Sequence, residues 1–148
     1  ASEAMKIALC VGRGLAYCPE YVGFDVRDHG FRPLVLQDVR TLDGTRFRNA
    51  ECIFATPPCE SFSLAPNARR DGRHFDIVQA CLRIGREAGV PFILENVRGL
   101  KAWLGPWDAK RGSWCFWGDV GLLPTGPPYT KHGRNPLARA SVPRSLVP

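Results

Sequence analysis

Short runs of apolar residues recur along the chain, and one longer segment has helical spacing. The runs at 7–11, 52–55 and 90–94 predict buried strands, and 24–27 and 33–36 are weaker strand candidates. Apolar positions three and four residues apart predict a helix over 74–88, and Gly89 is suited to end it. Segment 113–118 resembles a late strand or a hairpin arm. The pattern is typical of an α/β protein.

The order of these elements favours a mostly parallel sheet. Strand, helix and strand follow one another over residues 52–95, close to the span of one βαβ unit. This predicts an α/β fold with a reduced, Rossmann-like, mostly parallel sheet and flanking helices. We expect a single domain over 5–148, since no repeat or linker divides the chain. Residues 1–4 are expected to be a remnant, because a natural first methionine would stand where Met5 does.

Composition narrows the class of protein. The chain has 148 residues, 45% hydrophobic and 23% charged, which suits a folded domain rather than a disordered tail. With no membrane-length apolar run and no signal peptide, we expect a cytoplasmic protein without membrane association. The six cysteines lack metal-ligand spacing, so no metal is expected. A net charge of +6 favours an anionic partner such as nucleic acid, or equally an ordinary arginine-rich surface.

Two chemically distinctive residues follow neighbouring strands of the predicted βαβ unit. Cys59 lies in a proline-stiffened loop after the strand at 52–55, and Glu95 follows the strand at 90–94. Because the carboxyl ends of parallel strands form one sheet edge, we expect both side chains to face a single crevice. Taken singly, the first motif could be a rigid turn with a buried cysteine and the second a cap on the next segment. Together they predict a site.

The pairing of a thiol with a carboxyl group suits an electron-poor ring. A thiolate adds to a conjugated carbon while a carboxyl group protonates or hydrogen-bonds a ring nitrogen. A free thiol is only slightly ionised near neutral pH, so a positive neighbour would help. The candidates for that neighbour are Arg69, Arg70 and Arg98.

At these residues the sequence resembles the cytosine-C5 DNA methyltransferase family, especially its compact phage-type or prophage-type members. Residues 57–63, Pro-Pro-Cys-Glu-Ser-Phe-Ser, are similar to the family's PPC-x-x-FS nucleophile loop. Residues 95–97, Glu-Asn-Val, are similar to its ENV motif. Residues 110–118 and 138–143 resemble, more loosely, a late arginine-containing motif and a closing segment.

The resemblance implies a fold of the S-adenosylmethionine-dependent methyltransferase type and a set of roles. Cys59 would attack C6 of cytosine, Glu95 would engage N3, and Arg111 would lie near the target base. The methyl donor would be S-adenosylmethionine. The cofactor-binding candidates are Gly12, Gly14, Asp28 (with Asp25 as its alternative), Asp38 and Pro57. The substrate-binding candidates are Pro58, Ser61, Ser63, Asn96 and Arg98.

Two departures from the family keep alternatives open. The loop after the first strand keeps only the glycines of the family's cofactor loop, and only 119–137 is available for a target-recognition region, too little for a separate domain. DNA is the expected substrate, either as a duplex with the base flipped out or as a single strand. The alternatives are the same chemistry on RNA or a free cytidine nucleotide, or a non-catalytic nucleic-acid-binding subunit. A partner subunit for target recognition is compatible with each.

Overall fold

The structure is a computed structural model that describes residues 5–12 and 20–123. The predictions for Gly14, for residues 1–4 and for the closing segment at 138–143 lie outside the described residues. The strands are β1 (Lys6–Leu9), β2 (Tyr21–Asp25), β3 (Leu34–Leu36), β4 (Cys52–Ala55), β5 (Phe92–Asn96), β6 (Ala109–Arg111) and β7 (Trp114–Gly118). The α-helices are α1 (Phe75–Ala88) and α2 (Lys101–Leu104).

These strands form one seven-stranded mixed sheet in the order β3-β2-β1-β4-β5-β7-β6. The first five are parallel to one another, whereas β7 is antiparallel to both β5 and β6. The prediction of a mostly parallel α/β sheet is therefore confirmed. From β1 the chain adds β2 and β3 on one side and then returns to place β4 on the other. The sheet thus has a topological switch point at the carboxyl ends of β1 and β4, where open α/β sheets bind ligands.

Helix α1 forms where apolar spacing predicted it and packs on one face of the sheet. Its apolar stripe includes Val78, Cys81 and Ile84, all fully buried in the larger core cluster. Full burial of a side chain such as that of Ile84 contributes about 1.5–3 kcal/mol. The helix ends at Gly89, whose left-handed φ of 64° lets its N–H donate to the Gly85 carbonyl oxygen. Local periodicity and one glycine thus fix this element.

Strand β5 is displaced from its predicted position. It begins at Phe92 and runs through Asn96, so Glu95 lies inside the strand rather than beyond its tip. The extension has a non-local cause, because β7 pairs with β5 and sets Glu95 opposite Phe116. The apolar spacing around residue 95 does not indicate this pairing between β5 and β7.

Two short 3-10 helices, Val39–Thr41 and Gly44–Phe47, connect β3 to β4 and were not predicted. Each begins after an aspartate, Asp38 or Asp43, whose side chain accepts a hydrogen bond from a backbone N–H two residues later. Neither α-helix in 5–12 and 20–123 has the length and apolarity needed to cross a bilayer.

Candidate active site

The loop after β4 presents Cys59 to solvent from an anchored backbone. At its start, Thr56 donates from its backbone N–H to the Leu9 carbonyl at 3.0 Å and from Oγ1 to the Cys10 carbonyl at 2.9 Å. Past the cysteine, the Phe62 N–H donates to the Cys59 carbonyl at 3.0 Å, and the Phe62 ring is fully buried. The loop is thus held on both sides of an exposed cysteine.

Asn96 joins the two sequence motifs. Its side chain is 1% exposed, and its Nδ2 donates to the Pro57 carbonyl at 3.1 Å and, more weakly, to the Pro58 carbonyl at 3.5 Å. Its Oδ1 accepts from the Val97 N–H at 2.8 Å. A buried amide with these contacts has most of its hydrogen-bonding capacity satisfied by protein. Asn96 therefore ties the end of β5 to the nucleophile loop, while a contact with substrate stays a prediction.

Gly99 permits close packing between the turn after β5 and the nucleophile loop. A Cβ at this position would lie 1.8 Å from the Phe62 carbonyl oxygen, so no larger residue fits without displacing one of the two segments. Phe62 also packs edge-on against Trp103, with ring centroids 5.1 Å apart. Sequence reasoning missed Gly99, although a glycine three residues after the predicted Asn96 was a usable signal.

The pKa values of Glu95 and Cys59 are both raised above their ordinary values. Burial raises the pKa of Glu95 to about 7, and among the described residues none donates a hydrogen bond to its carboxylate. Although Cys59 is exposed, partial desolvation of its thiol raises its pKa, and the charges of Glu95 and Glu60 raise it further. The charge of Glu95 therefore acts on the Cys59 thiol, so the two predicted catalytic residues interact electrostatically.

The prediction that an arginine lies near Cys59 and favours its thiolate is wrong. Arg69, Arg70 and Arg98 are all exposed, and none is among the groups that shift the pKa of the thiol. Among the described residues, the side-chain charges that act on Cys59 belong to carboxylates, and these disfavour the thiolate while they are ionised.

A cavity of about 420 Å³ opens beside the nucleophile loop at the switch point of the sheet. This volume lies in the range of small-molecule sites. Its walls come from the ends of β1 and β2, the segment after β3, the nucleophile loop and the start of α1. They are lined in part by Gly12, Asp25, Asp38, Pro58, Glu60, His74 and Ile77.

The predicted cofactor residues lie in different places around this cavity. Gly12 lines it with a φ of 54°, and its N–H donates to Asp25 Oδ2 at 2.8 Å. Asp38 also lines it, and its carboxylate pairs with Arg40 at 2.6 Å, which lowers its pKa. Asp28 is not among the lining residues and pairs with Arg32 at 2.8 Å. Of the two aspartates considered for one role, Asp25 is the one at the cavity.

Pro57 and the substrate-binding candidates are mostly engaged with the protein backbone. Pro57 is buried, and fully buried Ser61 accepts a hydrogen bond at Oγ from the His74 N–H at 3.2 Å. Ser63 Oγ accepts from the Ala65 N–H at 3.2 Å. These serines order the nucleophile loop and its continuation. Pro58 lines the cavity, and Arg98 is exposed just past β5.

Arg111 lies on the outermost strand but at the same end of the sheet as Glu95. It is the last residue of β6 and pairs in register with Trp114, the first residue of β7. Cys115, next along β7, is opposite Asn96. The β6-β7 turn thus faces the sheet edge that carries Glu95, and a catalytic role for Arg111 stays a prediction.

His74 was not found by sequence reasoning, yet it supports ligand binding at the cavity. It lines the wall, and within the described part of the chain its Nδ1 is buried without a hydrogen-bond partner. Such a group costs about 1–3 kcal/mol unless something completes its bonding. Together with the two lining aspartates and the apolar Ile77, it suits a ligand with both polar groups and an apolar surface.

No arrangement of three or more His, Cys, Asp or Glu side chains within 5–12 and 20–123 could hold a metal ion.

Comparisons with known proteins give the family. No curated protein is significantly similar to the chain. A crystal structure of a DNMT2 mutant from Spodoptera frugiperda matches 68% of this chain with 15% identity and a TM-score of 0.42, and the chain spans 38% of that protein. The family model for C-5 cytosine-specific DNA methylase matches residues 28–103, slightly more than half of the chain and including both Cys59 and Glu95. The chain therefore belongs to the C-5 cytosine-specific DNA methylase family.

Proposed function

We propose that this chain transfers a methyl group from S-adenosylmethionine to C5 of cytosine in DNA, through a covalent bond between Cys59 and C6 of the ring. The observation that carries the proposal is the Asn96 bridge, which holds the nucleophile loop against the strand that bears Glu95. Membership of the family supports the same chemistry.

Glu95 supplies the proton that makes the ring reactive. With a pKa of about 7, its carboxyl group is protonated in roughly half of the molecules at neutral pH. The proton is donated to N3 as the sulfur of Cys59 bonds to C6. The π pair of the C5–C6 double bond moves between C4 and C5, and the π pair of the C4–N3 double bond forms the N3–H bond. C5 then acts as a carbon nucleophile. Methyl transfer would leave S-adenosylhomocysteine. A base then removes the C5 proton, the bond between sulfur and C6 breaks and N3 returns its proton to Glu95, which restores the ring, the thiolate and the carboxyl group.

The same proton favours ionisation of Cys59. The charged form of Glu95 raises the pKa of the thiol, and a protonated carboxyl group removes that repulsion. One proton on Glu95 thus prepares both the ring and the nucleophile. Activity should consequently depend on a state in which Glu95 is neutral while Cys59 is ionised, a minor state near neutral pH.

The cavity beside the loop is the site we assign to S-adenosylmethionine, which supplies an electrophilic methyl group when bound. Asp25 and Asp38 offer carboxylates for hydroxyl or amino groups, although each already accepts hydrogen bonds from the protein. His74 offers its unpaired Nδ1, and Ile77 offers apolar contact. These residues bind and orient a ligand at the edge next to Cys59.

The direct test is transfer of label from S-adenosylmethionine to DNA, with Cys59→Ala as the inactive variant. We expect transfer by the wild type and none by the variant. Calorimetry with S-adenosylhomocysteine should give the same affinity for both proteins, which separates lost chemistry from lost binding. Competition by duplex, single strand, RNA and free cytidine nucleotide identifies the preferred substrate. No transfer by the wild type, together with DNA binding and no cofactor binding, would instead favour a non-catalytic subunit.

A further inference from the structure

A pair of lysines converges on one aromatic ring near the catalytic edge. Lys101 begins α2 and Lys110 lies in β6, and both are exposed. Their ammonium nitrogens are 5.5 and 5.6 Å from the ring centroid of Trp107. Attraction between a cation and an aromatic ring restrains side chains that would otherwise sample many rotamers. We call these three residues the lysine cluster.

The ring at the centre of the cluster is itself held in place. Trp107 meets Trp117 edge-on, with centroids 6.5 Å apart. Trp117 is only 6% exposed, and its Nε1 donates to the Gly105 carbonyl oxygen at 3.1 Å. The cluster thus rests on buried structure rather than on a free loop.

No carboxylate in the described part of the chain pairs with either lysine. None of the ion pairs among the described residues includes Lys101 or Lys110. The carboxylate next in sequence to the ring, Asp108, accepts a hydrogen bond from the Gly118 N–H at 2.7 Å. Two cations that have no anionic partner within residues 5–12 and 20–123 form a surface suited to an external anion.

The register of the sheet places Lys110 in the same cross-strand row as Asn96, the residue after Glu95. Lys110 is opposite Cys115, and Cys115 is opposite Asn96 of β5. The charges of Lys110, Glu95 and Arg98 all act on the pKa of the Cys115 thiol, so all three groups lie in the neighbourhood of Cys115. The cavity assigned to the cofactor is built instead from the β1, β2 and β4 side.

We propose that Lys101 and Lys110 bind backbone phosphates of the DNA strand that carries the target cytosine. The inference rests on the proposed function and extends it from the cytosine base to the phosphate backbone of the DNA strand. A base held between Cys59 and Glu95 would have its strand continue away from the cofactor cavity, toward the lysine cluster. A free nucleotide has no neighbouring phosphates to occupy both cations, so the cluster favours a polymeric substrate.

The test is the salt dependence of DNA binding by the full chain, without cofactor, using fluorescence anisotropy of a labelled oligonucleotide. Each phosphate contact contributes a slope of about 0.9 for duplex, or 0.7 for single strand, to the fall of log affinity with log salt. The variant K101Q/K110Q should therefore lose about 1.8 of the slope on duplex, or about 1.4 on single strand. The variant K101R/K110R should keep the wild-type slope, because it keeps both charges.

A matched control removes the same charge elsewhere. Arg48 and Arg86 are exposed cations away from the lysine cluster, and R48Q/R86Q should leave the slope close to the wild-type value. Equal slopes for K101Q/K110Q and the wild type, or equal losses in K101Q/K110Q and R48Q/R86Q, would overturn the inference. A wild type that does not bind DNA would also overturn the inference. If that protein still methylated a free nucleotide, the proposed chemistry at Cys59 and Glu95 would remain supported.

Discussion

Replacing Glu95 with glutamine should stabilise the protein above neutral pH while abolishing its chemistry. Burial raises the pKa of this carboxyl group from an ordinary value of 4.5 to about 7 in the folded state. Below pH 4.5 both folded and unfolded chains hold the proton, and the group has no pH-dependent effect on stability. As pH rises from 4.5 to 7, the unfolded chain ionises first, so the folded state loses stability.

The size of this effect follows from the shift in pKa. One pKa unit corresponds to about 1.36 kcal/mol, so raising the pKa of Glu95 to about 7 costs up to about 3 kcal/mol at high pH. Glutamine keeps the size of the side chain and carries no charge. Glu95→Gln should consequently match the wild type at about pH 4 and exceed its free energy of unfolding by up to about 3 kcal/mol at about pH 8.

Urea unfolding of both proteins over this pH range measures the difference directly. Glu87→Gln is the matched control of opposite sign, because Arg83 and the Gly44 N–H lower the pKa of Glu87. That variant should lose stability relative to the wild type above about pH 4.5 and regain parity as pH falls. A stability difference for Glu95→Gln that does not change with pH, or that favours the wild type at pH 8, would refute a desolvated carboxyl group at the site.

The remaining predictions concern the nucleophile and its support. Glu60→Gln removes a charge that raises the pKa of Cys59, so alkylation of that thiol by iodoacetamide at neutral pH should accelerate about twofold or more. Asn96→Ala should lower the free energy of unfolding by about 1–3 kcal/mol and reduce kcat more than it changes KM, because a buried loop carbonyl loses its donor; unchanged kcat would contradict the positioning role. Gly99→Ala should reduce both stability and activity by displacing the loop, whereas Gly121→Ala, with open space around it, should leave both close to the wild-type values; equal effects in urea unfolding and methyl transfer would count against this packing.

Local signals predicted the regular elements well. The spacing of Val78 and Cys81 located α1, and the prolines after β4 located the nucleophile loop. Each of these features is decided by residues adjacent in the chain. The parallel sheet followed from the order of the elements, since helical crossovers join parallel strands.

Features that depend on contacts between segments distant in sequence could not be predicted from local sequence patterns. The position of Glu95 inside β5 depends on pairing with β7, about twenty residues later. The acidic surroundings of Cys59 depend on how the two motifs meet, and proximity in sequence suggested arginines instead. The cavity joins several segments, so Asp25 and His74 share it without any shared sequence pattern.

The proposed joint action of Cys59 and Glu95 on a single cytosine ring can be tested directly. An oligonucleotide that contains 5-fluorocytosine tests it, because fluorine cannot leave C5 as a proton does and the covalent adduct accumulates. In the presence of S-adenosylmethionine, intact-mass spectrometry should show one oligonucleotide bound to the wild type, with peptide mapping to Cys59. Cys59→Ser should give no adduct and Glu95→Gln a much slower one. An adduct at another cysteine, or none with the wild type, would contradict the account.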